Sequence, residues 1–151
     1  MYAVLLAVHN IVRWVVIVLA VFALVRAFSG WLGKREWQAM DRKAGLFYGM
    51  AFDIQFLLGL LLYLFFSDFA LKAILSKGMA FVMGQSLYRF FVLEHALYML
   101  IALVCAHLGS VLPRRMTEAP IKHRTAAIFF TLSVLFVILG MPWFRPMLPG
   151  L

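Results

Sequence analysis

The chain has 151 residues, of which 66% are hydrophobic and only 13% are charged. Soluble domains are typically about half apolar and about a quarter charged, so this composition excludes an ordinary water-soluble fold and predicts one integral membrane domain. The net charge of +8 does not indicate nucleic-acid binding. Most basic residues lie in short connections between apolar runs, and no domain outside the membrane is left to bind nucleic acid.

Four apolar runs are each long enough to cross the hydrocarbon core of a bilayer, which takes about 20 helical residues. Backbone polar groups in lipid must be hydrogen-bonded within the segment, so each run is predicted to be a helix. The predicted helices span about residues 3–25, 46–66, 90–111 and 125–143. The sequence therefore predicts an all-α integral membrane protein, an antiparallel four-helix bundle in which residues 1–151 form a single transmembrane domain.

Basic residues are distributed unevenly between the two sides of the predicted bundle. The richer side holds nine, namely Arg26, Lys34, Arg35, Arg42, Lys43, Arg114, Arg115, Lys122 and Arg124. The poorer side holds four, namely Lys72, Lys77, Arg89 and Arg145. Because cytoplasmic loops are enriched in Lys and Arg, we expect the richer side to face the cytoplasm and both termini to face outward. The expected location is a bacterial inner membrane, crossed several times.

Two histidines lie at similar predicted depths in two different helices. His9 is about seven residues into the first helix and His95 is about six residues into the third, and both helices start on the outer side. At a rise of about 1.5 Å per residue, the two rings are expected at nearly the same depth. Facing side chains in bundle cores hold metals and cofactors, and imidazole is a usual axial ligand of haem iron. The pattern predicts one bis-histidine haem b, with His9 and His95 as the metal ligands.

Cations and hydrogen-bond donors near these histidines suit the two propionates of a haem. Arg13 lies one turn after His9 on the same helix face, Asn10 follows His9, and Arg89 lies at the start of the third helix. Glu94 directly precedes His95 and belongs to the same predicted site. The alternative is structural, with each histidine hydrogen-bonded to a neighbouring helix or to Glu94.

A second polar group is predicted in the cytoplasmic half, where Asp53, His107 and His123 form a candidate second site. His107 lies about 18 Å further along its helix than His95, a separation that suits a second haem. The two rings are, however, about 120° apart around the helix, and His107 has no partner imidazole at its depth. Asp53 is expected to form an ion pair, accept a hydrogen bond from His107, or line a quinone or proton site with His107 and Tyr48.

Other chemistries have weaker support in the sequence. It contains no HExxH zinc motif, no phosphate-binding glycine loop and no nucleophile elbow. His95 and Met99 share a helix face, so a His/Met copper site is one alternative. Helix faces rich in Leu, Val and Phe equally suit a cofactor-free accessory subunit of a larger membrane complex.

Several short motifs recur together along nearly the whole chain. They are His9 with Arg13-Trp14, Asp41-Arg42-Lys43, Gln55 with the Leu-Leu-Gly-Leu run at 57–60 and Tyr63, Arg89-Phe90-Phe91 with Glu94-His95, and Lys122-His123. In this combination the chain resembles small four-helix bacterial inner-membrane proteins identified as cytochrome b or cytochrome b-like. The resemblance implies haem b, membrane electron transfer and, by analogy, a quinone partner. That family often has histidine where this chain has Asp53, which argues against a second haem.

The predicted function is therefore that of a membrane haem b electron-transfer protein that exchanges electrons with quinone or quinol, or with a respiratory partner. Bis-histidine ligation leaves no open position on iron, so an electron carrier is favoured over a stand-alone enzyme. The alternative function is that of the cofactor-free subunit. A homo-oligomer is compatible with either function.

Overall fold

The computed structural model describes residues 1–145, and every regular element within that range is helical. The four long helices are α1 (Tyr2–Leu32), α2 (Ala39–Leu61), α6 (His95–Val111) and α7 (Ala119–Gly140). Three short helices between α2 and α6 are α3 (Leu71–Lys77), α4 (Met79–Gly84) and α5 (Ser86–Arg89). A π-helical turn at Leu62–Phe66 extends α2, another at Phe90–Glu94 leads into α6, and a 3₁₀ turn at Leu112–Arg115 follows α6.

Four helical segments are long and apolar enough to cross a membrane. They are Tyr2–Leu32, Ala39–Lys77, Ser86–Arg115 and Ala119–Gly140. Between 17% and 33% of the most apolar stretch of each segment is buried inside the bundle, so most of its apolar surface points outward. Such a surface suits lipid and indicates a multi-pass membrane protein. The predicted all-helical fold with four long apolar helices is confirmed.

The long helices form a closed ring in which each packs mainly on two others. α1 packs on α2 and α7, and α6 packs on the same two helices. Cross-helix contacts join the end of α1 to the start of α2, through Arg26 and Asp41, and the start of α6 to the end of α7, through His95 and Gly140. Consecutive long helices therefore run in opposite directions, and the two basic connections lie at one end of the bundle.

The helices extend beyond the apolar runs that predicted them. α1 continues to Leu32 instead of residue 25, α2 begins at Ala39 instead of residue 46, and α7 spans Ala119–Gly140 instead of 125–143. Hydropathy predicts where a helix leaves the apolar part of the membrane. The helix itself continues until the backbone groups at its end are capped. The polar ends of α1 and α2 stay helical because they are paired with each other.

Asp41 holds this polar end together. Its carboxylate accepts hydrogen bonds from Arg26 Nε and Arg35 Nη2, each at 2.8 Å, and from the backbone N–H of Gln38 at 2.8 Å. The last contact caps the start of α2. The same carboxylate raises the pKa of Arg35, because hydrogen bonding and charge both favour the protonated guanidinium.

Small residues occupy most of the buried helix–helix contacts. The buried alanines of the core are Ala20, Ala23, Ala27, Ala44, Ala51, Ala102, Ala106, Ala126 and Ala127. Association of membrane helices relies on close van der Waals packing, which small residues allow. Gly109 shows the same effect at its limit, because a Cβ there would lie 2.6 Å from the ring of Phe130. α6 and α7 could not pack this closely with a larger residue at Gly109.

A buried hydrogen-bond chain connects three helices in the middle of the bundle. Ser133 of α7 donates to the carbonyl oxygen of Ala102 of α6 at 2.7 Å, and its oxygen lies 2.6 Å from the Tyr48 hydroxyl of α2. Since Ser133 has a single proton, Tyr48 is the donor to Ser133. Both side chains are fully buried, so neither hydroxyl has water as an alternative partner.

We predict that Ser133→Ala lowers the free energy of unfolding by about 1–2 kcal/mol, because it leaves the buried Tyr48 hydroxyl without its acceptor and removes the bond to α6 at the Ala102 carbonyl. Tyr48→Phe keeps the Ser133–Ala102 bond and should cost less, about 0.5–1 kcal/mol. The control is Ser29→Ala, since the exposed Ser29 hydroxyl bonds only to its own helix at Arg26. Denaturant titration in detergent micelles measures all three. Equal values for Ser133→Ala and Ser29→Ala would contradict the buried chain.

Candidate functional site: a histidine-lined cavity

One cavity of about 870 Å³ lies between the long helices, at the end of the bundle that includes the start of α1 and the start of α6. Its volume falls within the range of about 300–1,000 Å³ that is usual for small-molecule sites. Most of its walls are apolar. The nitrogen-bearing side chains that line it are His9, Asn10 and Arg13 of α1, Gln55 of α2, His95 of α6, and Arg145 beyond α7.

His95 is oriented by the end of α7. Its Nδ1 lies 2.7 Å from the carbonyl oxygen of Gly140. A carbonyl can only accept, so Nδ1 carries the proton and the neutral ring has its lone pair on Nε2. Histidines that ligate metals are usually held in this way, with one ring nitrogen bonded to a carbonyl or carboxylate and the other nitrogen at the metal.

His9 is held by α2 in a comparable way. Its Nε2 lies 3.2 Å from the amide nitrogen of Gln55. Within residues 1–145, His9 Nδ1 and Gln55 Oε1 are buried and have no hydrogen-bond partner. If the Gln55 amide turns over, its oxygen accepts from His9 Nε2–H and the lone pair of the ring moves to Nδ1. In that arrangement both histidines have one nitrogen held by protein and one available as a ligand.

Because Gly59 has no side chain, it leaves room for the His9 ring. A Cβ built at Gly59 would lie 3.2 Å from His9 Cε1 and 3.8 Å from Nδ1. Gly59 is one helical turn beyond Gln55, so one face of α2 both holds and accommodates the ring. In the sequence, Gln55 and Gly59 are recognisable only as parts of a motif. Their i,i+4 spacing in an apolar helix was the signal that could have placed them on one helix face.

Positive charge lies close to both rings. The Arg13 guanidinium is close enough to interact electrostatically with both imidazole rings, that of His9 and that of His95, and the two rings also interact with each other. Arg145 adds a second cation at the cavity, with its guanidinium carbon 4.4 Å from the centre of the Phe91 ring and 5.0 Å from that of Phe69. The cavity thus combines two imidazoles with cations that suit an anionic group. No sequence pattern had indicated that Arg145 reaches this site.

The two π-helical turns border the cavity. The Tyr63 hydroxyl, in the first turn, donates to the backbone carbonyl of Val92, in the second, at 3.1 Å. Both residues line the cavity. π-Helical turns inside α-helices occur frequently at functional sites, where they change the direction of side chains. Hydropathy does not distinguish these turns from α-helix, so the sequence did not predict them.

Two residues of the predicted site lie away from the cavity. Arg89 Nε donates to Glu94 Oε1 at 2.8 Å, and neither side chain lines the cavity. Arg145 lines the cavity, whereas Arg89 does not. Glu94 is paired with Arg89, whereas His9 bonds to Gln55 and His95 to Gly140.

The structure brings two of the three residues of the candidate second site together. His107 Nε2 lies 2.8 Å from Asp53 Oδ1, which is one of the pairings expected for that aspartate. His123 is instead fully buried at the end of the bundle that holds the basic connections, where its ring centre lies 4.8 Å from that of Trp37 and where it also packs against Gly30. Tyr48 bonds to Ser133 and does not contact the pair.

Within residues 1–145, no group of three or more His, Cys, Asp and Glu side chains converges on a common point. The donors at the cavity are two imidazoles, which is the ligand number that bis-histidine haem uses. No protein-family model, no curated protein and no solved structure matches the chain. The resemblance to cytochrome b-like proteins stays a prediction.

We predict that Gly59→Ala displaces the His9 ring, because the new methyl group would be tightly packed against Cε1. Gly49→Ala is the matched control, since a Cβ there would be in ordinary contact with His107, at 3.5 Å from Cε1. Histidine-selective isotope labelling makes the test direct, because the chain has four histidines. In NMR spectra, Gly59→Ala should shift the His9 imidazole signals, whereas Gly49→Ala should leave them in place. Unchanged His9 signals in Gly59→Ala would contradict the described packing.

Proposed function

We propose that this chain is a membrane electron-transfer protein that binds one haem b in the histidine-lined cavity, with His9 and His95 as axial ligands. One observation carries the proposal. Two imidazoles from two helices border the same cavity, and protein groups, Gln55 and the Gly140 carbonyl, each hold one ring nitrogen. The remaining nitrogen of His95, Nε2, carries a lone pair for a metal, and the remaining nitrogen of His9, Nδ1, carries one when the Gln55 amide is turned over.

The cavity suits such a group in three further respects. Its volume is in the range for a cofactor, its walls are mostly apolar, and its cations lie near the rings. Arg13, Asn10 and Arg145 would hold the propionates through charge-assisted hydrogen bonds. His9 Nδ1, which is buried and has no partner within the described residues, would gain one by ligation. When bound, haem b would supply one-electron redox chemistry.

The residues around the cavity act by fixing the positions of the two imidazole rings and of the π-helical turns beside them. Gln55 and the Gly140 carbonyl limit rotation of the two rings, and the hydrogen bond from Tyr63 to Val92 fixes the π-helical turns beside them. Two histidine ligands leave no open coordination position, so electron transfer is favoured over oxygen chemistry. We propose quinone or quinol, or a respiratory protein, as the redox partner.

The proposed location is a bacterial inner membrane, with the basic connections in the cytoplasm and both termini outside. Nine of the 14 Lys and Arg residues lie at one end of the bundle, in the two connections or in the helix ends beside them, in agreement with the positive-inside rule. In this orientation the histidine-lined cavity lies toward the outer face. A periplasmic or membrane-bound partner would then reach the cavity from that side.

Haem retention by histidine variants tests the proposed ligands. His9→Ala and His95→Ala should each lose most of the haem from the purified protein, because each removes one axial ligand. His107→Ala is the control, since its ring lies outside the cavity and bonds to Asp53. Haem per chain is measured by the pyridine haemochrome method. Full haem content in His9→Ala would overturn the ligand assignment. Loss of haem in His107→Ala would instead support a second haem with His107 as a ligand.

A second comparison tests the cations. Arg145→Gln should weaken haem binding by about tenfold, equivalent to about 1.4 kcal/mol, because a charge-assisted hydrogen bond is removed. Arg89→Gln should leave the affinity unchanged, since Arg89 pairs with Glu94 away from the cavity. Titration of haem into apoprotein in detergent gives both affinities. The reverse ranking would support the placement of Arg89 that the sequence had suggested.

A further inference from the structure

Asp53 and His107 form an ionisable pair on the outer surface of the bundle. Their side chains are 45% and 44% exposed, and the two atoms that join them are 2.8 Å apart. Neither residue lines the histidine-lined cavity, so the proposed haem site does not account for them. The pair bridges α2 and α6 and leaves polar edges of both side chains facing outward.

The pair lies within two of the membrane-spanning segments, away from the charged residues at the basic end of the bundle. Asp53 is about 18 Å along α2 from Asp41, and His107 is about 10 Å along α6 from Arg114, at about 1.5 Å per residue. The hydrocarbon core of a bilayer is about 30 Å thick, so the pair is at a depth where lipid offers no hydrogen bonds. Ionisable residues at such depth almost always face a protein interior or a partner. Half-exposed polar groups therefore indicate that another molecule covers this surface.

Exposed apolar residues continue the same surface above and below the pair. On each helix they lie seven and three residues before, and four residues after, the polar residue, so they share its face. They are Leu46, Met50 and Leu57 on α2, and Leu100, Val104 and Val111 on α6. We name this surface, together with Asp53 and His107, the dyad face.

We propose that the dyad face binds a second copy of this chain to form a two-fold symmetric dimer in the membrane. An acid and a base lie side by side in the middle of the face, so a two-fold axis between them sets Asp53 of each copy against His107 of the other. The face is thus complementary to itself in charge, which is what an isologous contact requires. A different partner would need its own acid–base pair at the same depth, whereas a second copy supplies one by symmetry.

Known features of membrane helix association agree with this arrangement. Polar side chains hydrogen-bond between helices in lipid, and apolar ridges add van der Waals contact. In the dimer, Asp53 and His107 would gain partners for the polar edges that the single copy leaves exposed. The proposal does not depend on the cofactor, because Asp53 and His107 lie outside the histidine-lined cavity, and Leu100 is the one residue of the dyad face that also lines it.

A charge-complementation experiment tests the dimer. Copies labelled with donor or acceptor dyes are reconstituted in liposomes at low protein-to-lipid ratio, and energy transfer between copies is measured. Wild type should show transfer above the random-proximity level. Asp53→His alone and His107→Asp alone should each fall to that level, because like groups then face each other. Mixing the two single variants should restore transfer, since one copy carries two imidazoles and the other two carboxylates.

The mixed sample distinguishes contact between two copies from a role of the Asp53–His107 pair within one chain. Each single variant lacks the intramolecular pair, and mixing cannot restore it, so recovered transfer must come from contact between copies. Circular dichroism confirms that each variant keeps its helical content. Leu75→Ala, an exposed change in α3 away from the face, should leave transfer unchanged. A monomeric wild type, a mixture no better than either single variant, or a small molecule or other chain found on this face would overturn the proposal.

Discussion

The structure depends on one constraint, which is that a hydrocarbon surrounding offers no hydrogen bonds to the polar side chains of the helices. Each such side chain must find its partner on a neighbouring helix, and most do so here. Ser133 and Tyr48 join three helices, and Tyr63 and His95 bond to backbone carbonyls across the bundle. These few bonds determine how the small-residue surfaces of the helices align.

The same constraint makes the exceptions informative. The two buried atoms His9 Nδ1 and Gln55 Oε1 lack partners within the described residues, and both residues line the histidine-lined cavity. A cavity lined by residues with unpaired buried atoms, while neighbouring polar groups are paired, is suited to a ligand. At the dyad face the pair is made, but its exposed edges point toward lipid. The two proposals thus rest on unmet hydrogen-bonding capacity, one inside the bundle and one outside it. His123 is not such an exception, because its ring is fully buried against Trp37 and Gly30 and does not line the histidine-lined cavity.

The fold could be predicted from composition and hydropathy, because four apolar runs admit little else in lipid. The nearness of His9 and His95 could be predicted as well, since their depths follow from helical rise alone. The partners of each side chain could not be predicted. Rotation of a helix about its own axis decides whether Arg89 reaches the cavity, and apolar runs that are hydrophobic on all sides carry little information about rotation. Whether Arg145 reaches it depends on the path of the chain after α7. The π-helical turns were missed for the same reason, because they change direction without changing hydropathy.

The most direct test of the central claim is the reduced-minus-oxidised visible spectrum of the wild-type protein, purified in detergent after expression with ample haem, with haem quantified per chain. We predict a b-type spectrum, characteristic of low-spin iron with two histidine ligands, at about one haem per chain. Two haems per chain would require further ligands outside the histidine-lined cavity. A colourless protein that contains copper would favour a site at His95 and Met99. A colourless protein without metal would contradict the proposed function and favour the accessory subunit.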